Sequence, residues 1–134
     1  MSDSVFTKII KGELPSYKVY EDDKTIVIVP LYPVGKGNVM AIPKLQVDHL
    51  VDLPDEDYQA LMATVKKVAK HIQEVLQPKR VGLMVEGLDV PHVHVQVIAF
   101  DTMEQFREIP DESQPPDDQK RAELAKKLTF LGVQ

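Results

Sequence analysis

An α+β domain with an antiparallel sheet is the fold class the sequence predicts, and three observations predict it. Short apolar runs of strand character fall on both sides of one long amphipathic stretch. Neighbouring runs are joined by turns too short to hold a crossover helix. A helix-like segment stands at each end of the chain. Together these suggest about five strands packed with one long helix, plus short N-terminal and C-terminal helices. A length of 134 residues suits one ordinary domain. With 43% apolar and 28% charged residues, the chain has enough of each for a core and a wet surface.

In "SVFTKIIKGELP", Ser4 is a candidate cap, Val5, Phe6, Ile9 and Ile10 share a helical face, and Gly12 and Pro15 end the element. "SYKVYED" alternates as a strand does, and a turn at Asp22, Asp23 and Lys24 follows. "TIVIV", Thr25 to Val29, is an almost unbroken β-branched run suited to a buried strand. Pro30 and Pro33 stop it, "PVGKGN" is a glycine-bearing loop, and "NVMAIP" is the next strand. Pro54 opens the long helix, with Asp55, Glu56 and Asp57 at the positive end of its dipole. Tyr58, Leu61, Met62, Val65, Val68, Ala69, Ile72 and Leu76 form its apolar stripe, and Pro78 blocks continuation. "RVGLMVEG" and "HVHVQVIAF" read as an antiparallel pair joined by the short turn "GLDVP".

After Asp101 the composition changes. "EIPDESQPPDDQK" is proline-rich and acidic, as surface linkers are. "DDQKRAELAKKLTFL" has helix chemistry, with Ala122, Leu124, Leu128 and Leu131 available for packing. The division expected is residues 1–102 as the main domain and 103–134 as a C-terminal extension.

A net charge of −5 argues against a duplex nucleic-acid binder, yet leaves room for a small anion in a local pocket. The chain has no cysteine, so disulfides and thiolate metal sites are excluded. No apolar run approaches the roughly 20 residues that cross a bilayer. The opening residues lack a secretory pattern, and the cytoplasm is the expected compartment.

One stretch carries chemistry. In "VPHVHVQVIAF", His92, His94 and Gln96 occupy alternate positions and therefore share a face, while Val93, Val95 and Val97 point to the other. An amphipathic strand with a wet polar side is the plain reading. Two chemistries compete with it. His-x-His supplies adjacent metal ligands, the third coming from His49, His71 or Asp89. Alternatively, a neutral imidazole attacks phosphorus while a neighbouring polar group holds its tautomer.

These residues resemble the histidine-triad (HIT) superfamily of nucleotide hydrolases and transferases, whose hallmark is His-φ-His-φ-His-φ-φ with φ apolar. The chain has His92-Val-His94-Val-Gln96-Val-Ile. "VFTKIIKGELPSYKVYEDD" is similar to the family's opening. "PVGKGNVMAIPK" is similar to its Pro-x-x-x-Gly-His-x-x-x-Ile-Pro-Lys stretch, with Asn38 at the histidine. "LVDLPDEDYQALM" matches its entry into the long helix. The resemblance spans about residues 4 to 100.

It implies a HIT-like fold and catalysis by His94, His92 and Gln96. His94 would attack the α-phosphorus, forming a nucleotidyl-histidine. His92 would belong to the hydrogen-bond network that orients it. Gln96 would bond a phosphate oxygen without acting as an acid; glutamine stands there in the branch similar to galactose-1-phosphate uridylyltransferase and diadenosine tetraphosphate phosphorylase. Val5, Phe6, Ile9, Ile28 and Leu31 would line the base pocket, with Phe6 and Leu31 the stronger candidates. Asp89 falls where the family has a serine, and acts either as a turn cap or as an acid. Lys36 and Lys44 are nearby cations. The family's zinc-binding cysteines correspond to Ser4 and Thr7, and one of its histidines to Gln46, so no metal or other cofactor is expected. Its ribose-binding acid falls at Pro30.

The resemblance thus implies a hydrolase or nucleotidyltransferase that acts on a purine nucleotide or nucleotide conjugate, most simply as a homodimer joined edge to edge. A nucleotide-binding module that has lost catalysis and a metal-dependent hydrolase are the alternatives.

Overall fold

The computed structural model describes residues 2–130. Five strands, β1 (Lys18–Glu21), β2 (Thr25–Ile28), β3 (Gly37–Pro43), β4 (Arg80–Met84) and β5 (Val95–Phe100), form one sheet in the order β1-β2-β3-β5-β4. Every neighbouring pair is antiparallel. The helices are α1 (Val5–Ile10), α2 (Asp55–Leu76), α3 (Met103–Phe106) and α4 (Asp118–Leu128), with a 3-10 turn over Leu50–Asp52. The α+β class, the five-stranded sheet and the long helix are as the sequence predicts. Among the described residues no helix is long and apolar enough to cross a membrane.

Helix α2 forms because its apolar positions recur at helical spacing, so one stripe packs on the sheet. Leu61, Val65, Val68 and Ile72 meet Val27, Val39, Ala41, Val95, Val97 and Ala99 in one core. The helix begins one residue later than the sequence suggests: Pro54 is its cap, and the Pro54 carbonyl accepts from Tyr58 N–H at 2.8 Å. It ends at Leu76, where Gln77 turns into the left-handed region (φ 49°) and Pro78 follows.

The opposite face of the sheet holds a smaller core of Phe6 from α1 with Ile26, Ile28, Met40 and Ile42. Burial on both faces explains why β2 reads as an almost unbroken apolar run and not as an alternating one, and β3 is likewise buried along its whole length.

Three expectations shift. The triad strand enters the ladder at Val95, so His92 and His94 lie just before β5, with His92 in a bend. The β4–β5 ladder stops at Met84↔Gln96, which makes the connection longer than the short turn expected. Helix α4 packs through Ala125 and Leu128 into the main core, with Leu124 beside them. Ala122 is only half-buried, and Leu131 lies outside the described residues. Helix α3, capped by the Thr102 hydroxyl, was not anticipated. Strand β4 is a sheet edge and exposes Leu83, with Val85 exposed just beyond it.

Candidate functional site

The residues preceding β5 sit between α1 and the end of β3. His92 is fully buried and bonded at both ring nitrogens: Nε2 lies 2.7 Å from the Pro43 carbonyl and Nδ1 lies 2.7 Å from Ser4 Oγ. A carbonyl only accepts, so Nε2 carries the proton and Nδ1 accepts from the serine hydroxyl. Ser4 has a second task, because Oγ also accepts from Thr7 N–H as the cap of α1. Gln46 Oε1 closes the cluster by accepting from Thr7 Oγ1 at 2.6 Å and from Ser4 N–H at 2.9 Å.

The resemblance aligns Ser4, Thr7 and Gln46 with zinc ligands of the family, and in this chain they form a hydrogen-bonded cluster with His92. Two hydroxyls, an amide and an imidazole already engaged on both sides do not fit zinc, which takes thiolate, imidazole or carboxylate. Among the described residues no group of three or more His, Asp or Glu could hold a metal ion. A hydrogen-bond network ties α1 to the β5 approach in this chain.

Burial pushes the His92 imidazole below its ordinary value, and the neighbouring His94 adds to the effect, while the Pro43 carbonyl opposes it. A histidine held neutral when folded is protonated first in the unfolded chain. Its stabilisation is therefore complete above about pH 6.5 and is lost as pH falls through the lowered folded value. The melting temperature should drop between about pH 7.5 and pH 5, and a His92→Asn variant should show a smaller drop. Equal drops in the two proteins, measured by scanning calorimetry, would refute this assignment.

His94 is 6% exposed. Its Nδ1 lies 2.8 Å from the His92 carbonyl oxygen, so Nδ1 donates and Nε2 keeps its lone pair. It is the His92 backbone, and not its ring, that orients His94. Among the described residues the only buried side-chain nitrogen or oxygen without a partner is His71 Nε2. His94 Nε2 has no partner either, so it is open to solvent space. The Phe6 ring meets the His94 ring edge-on at a centroid distance of 5.0 Å and limits its rotation.

That open space is a cavity of about 490 Å³. Its wall includes Val5, Phe6, Ile9, Ile28, Leu31, Asp89, His94 and Gln96, so every site residue expected from the sequence except His92 faces it. Phe6 and Ile28 are buried floor, while Val5 and Leu31 are 42% and 55% exposed at the rim. Ile28 therefore belongs to both core and wall. Lys36 and Lys44 do not line the cavity; they pair with Asp101 at 3.1 Å and Glu21 at 2.8 Å. His71 lies half-buried on α2, stacked on Phe130 at 4.4 Å, and His49 is exposed; neither lines the cavity.

Gln96 is held from β3. Asn38, 3% exposed, donates from Nδ2 to Gln96 Oε1 at 2.9 Å, and Asn38 Oδ1 accepts from Val34 N–H at 3.3 Å. With its oxygen occupied, the Gln96 amide presents Nε2 and its two hydrogens to the cavity. The site therefore offers a lone pair on one side and an amide donor on the other, as attack on a phosphoryl group requires.

Sequence reasoning missed part of this wall. Met40, Glu86, Pro110, Glu112 and Arg121 also face the cavity. Arg121 comes from α4, is 8% exposed, and donates from Nε to the Pro30 carbonyl at 3.1 Å. Its guanidinium lies over the Tyr17 ring, 4.8 Å from the centroid. An arginine among three lysines in "DDQKRAELAKK" gave little hint of burial.

A family model for the HIT domain matches residues 11–103. The chain belongs to the HIT family. It is 33% identical over 98 residues to the adenosine 5′-monophosphoramidase HNT1 of Saccharomyces cerevisiae, covering 70% of this chain and 60% of that one. To the adenylylsulfatase HINT3 of Arabidopsis thaliana it is 31% identical over 102 residues, covering 72% and 52%. Among solved structures, a HIT-like protein from Bartonella henselae involved in cell-cycle regulation superposes with a TM-score of 0.79 at 27% identity, covering 94% of each chain. Family membership and the geometry around His94 together support a nucleotide hydrolase at the level of the family.

Proposed function

We propose that this HIT protein cleaves a purine nucleotide conjugate at its α-phosphate through a covalent intermediate on His94. The observation that carries the reading is the His94 ring, bonded at Nδ1 to a backbone carbonyl and open at Nε2 toward the cavity. The Nε2 lone pair forms a bond to phosphorus. The bond from phosphorus to the leaving nitrogen or oxygen breaks, its electron pair stays with the leaving atom, and that atom takes a proton from solvent. Water then attacks the same phosphorus and gives a proton back to solvent, the N–P bond breaks with its electron pair returning to Nε2, and the nucleoside monophosphate departs with His94 restored. Gln96 Nε2 donates to a phosphoryl oxygen throughout. The named activities of the yeast and Arabidopsis relatives, a phosphoramidase and an adenylylsulfatase, favour conjugates of adenylate. The apolar floor of Phe6 and Ile28 suits a flat base.

We assign the β4 edge, with Leu83 and Val85 exposed, to pairing with a second copy of the chain. Native mass spectrometry during turnover of adenosine 5′-monophosphoramidate tests both assignments. The expected species is a dimer of the 15.1 kDa chain bearing one adenylyl group per modified subunit. Steady turnover in which rapid mixing traps no adduct at any time would rule out the covalent route. Bound nucleotide without turnover would point to a binding module. A monomer at micromolar concentration would refute the edge assignment.

A further inference from the structure

The residues after Phe106 do not trail away from the site. Three ties bind them to the loop that follows β2. Glu108 Oε1 accepts from Gly35 N–H at 3.1 Å, the Gln114 carbonyl accepts from the Tyr32 hydroxyl at 2.7 Å, and Arg121 of α4 holds the Pro30 carbonyl. Between the first two ties the chain places Pro110 and Glu112 on the cavity wall.

Three carboxylates line this cavity, from Glu86, Asp89 and Glu112. Glu86 and Asp89 lie in the connection that runs directly into His94, and Glu86 already accepts from Leu88 N–H at 3.2 Å. Glu112 comes from a different segment, two residues before Gln114, which is tied to Tyr32; it lines the cavity together with Pro30 and Tyr32 and has no hydrogen-bond or ion-pair partner among the described residues. Pro30 and Leu31, which form the wall there, have no side-chain acceptor. A carboxylate offers two acceptor oxygens, and a vicinal diol offers two donors, a pairing that recurs wherever proteins hold ribose.

We propose that Glu112 accepts from the ribose hydroxyls of the bound nucleotide, so that the segment after Phe106 is part of the binding site and selects ribonucleotides. This rests on the nucleotide reading above. Calorimetric titration of the full chain with AMP and with 2′,3′-dideoxy-AMP tests it. The wild type should prefer AMP by about tenfold, the scale of a hydrogen-bonded pair with a charged acceptor. Glu112→Ala should bring the ratio of the two constants close to one, and Glu112→Gln should leave it between. The ratio is the readout, because removing a negative charge strengthens binding of both phosphates alike. Glu112 is exposed and unpaired, so neither variant disturbs the fold. A preference that persists in Glu112→Ala, or is missing in the wild type, overturns the proposal alone. Failure of the wild type to bind either nucleotide overturns it together with the nucleotide reading.

Discussion

Replacing His94 by alanine is expected to lower the turnover of adenosine 5′-monophosphoramidate by about 10⁴-fold or more, the scale seen when a nucleophile is deleted. The expectation follows from the bonding of one ring. Nδ1 is committed to the His92 carbonyl, so Nε2 is the lone pair that faces the cavity. No other side chain on the wall matches it as a nucleophile: Gln96 is an amide, and Asp89 and Glu86 are carboxylates that repel an approaching phosphate. The variant should remain folded. Its loss removes one hydrogen bond to a backbone carbonyl, worth about 1 kcal/mol, and an edge contact with Phe6. Nucleotide binding should persist within a few-fold, because the floor and the Gln96 amide are intact. Chromatographic assay of AMP release separates these outcomes. Undiminished release from a correctly folded variant would sink the mechanism, and loss of binding along with turnover would recast His94 as a binding residue.

The parts of this structure that were legible in the sequence are those with a period. The stripe from Tyr58 to Leu76 repeats with the helix, and so it announced both α2 and the face that packs. The alternation from His92 to Gln96 separated a polar face from the valines, and Val93, Val95 and Val97 do lie in the core beneath α2. Alternation does not say how deep a polar residue sits, however. His92 and Gln96 belong to the same face, yet one ring is fully buried against Ser4 and Pro43 while the other side chain reaches the cavity. Nor does it reveal main-chain acceptors, which is why the His92 carbonyl, the group that orients His94, left no mark in the residue pattern. The far wall was hidden for another reason. Glu112 and Arg121 reach the site through ties between segments far apart in the chain, such as Tyr32 to Gln114 and Arg121 to Pro30. Local composition around them reads as a linker and a charged helix, and long-range contacts of this kind have no local signature.

The exchange of Asn38 for aspartate should reduce kcat by about 10²-fold, comparable to losing one donor to a developing phosphoryl charge, and the loss should reverse at low pH. Asn38 Nδ2 occupies Gln96 Oε1, and Val34 N–H fixes the Asn38 amide the right way round by donating to Oδ1. An ionised carboxylate at this position can only accept. Gln96 would then turn its amide to donate inward, and Oε1 would face the phosphoryl oxygens, so an attraction becomes a repulsion. The position is 3% exposed, so the introduced carboxyl is desolvated and its pKa lies above the ordinary carboxylate range. Once protonated, its hydroxyl donates to Gln96 Oε1 as Asn38 does, and the amide returns to its original orientation. The kcat profile of N38D should therefore show a partial recovery on acidification that the wild type lacks, while KM changes less than kcat because the apolar floor is untouched. A residue that merely supported the fold would instead lower thermal stability and activity together at every pH. If N38D keeps wild-type kcat above neutrality, or loses activity uniformly across pH, the polarity of Gln96 is not set from β3, and its role as a phosphate donor loses its structural basis.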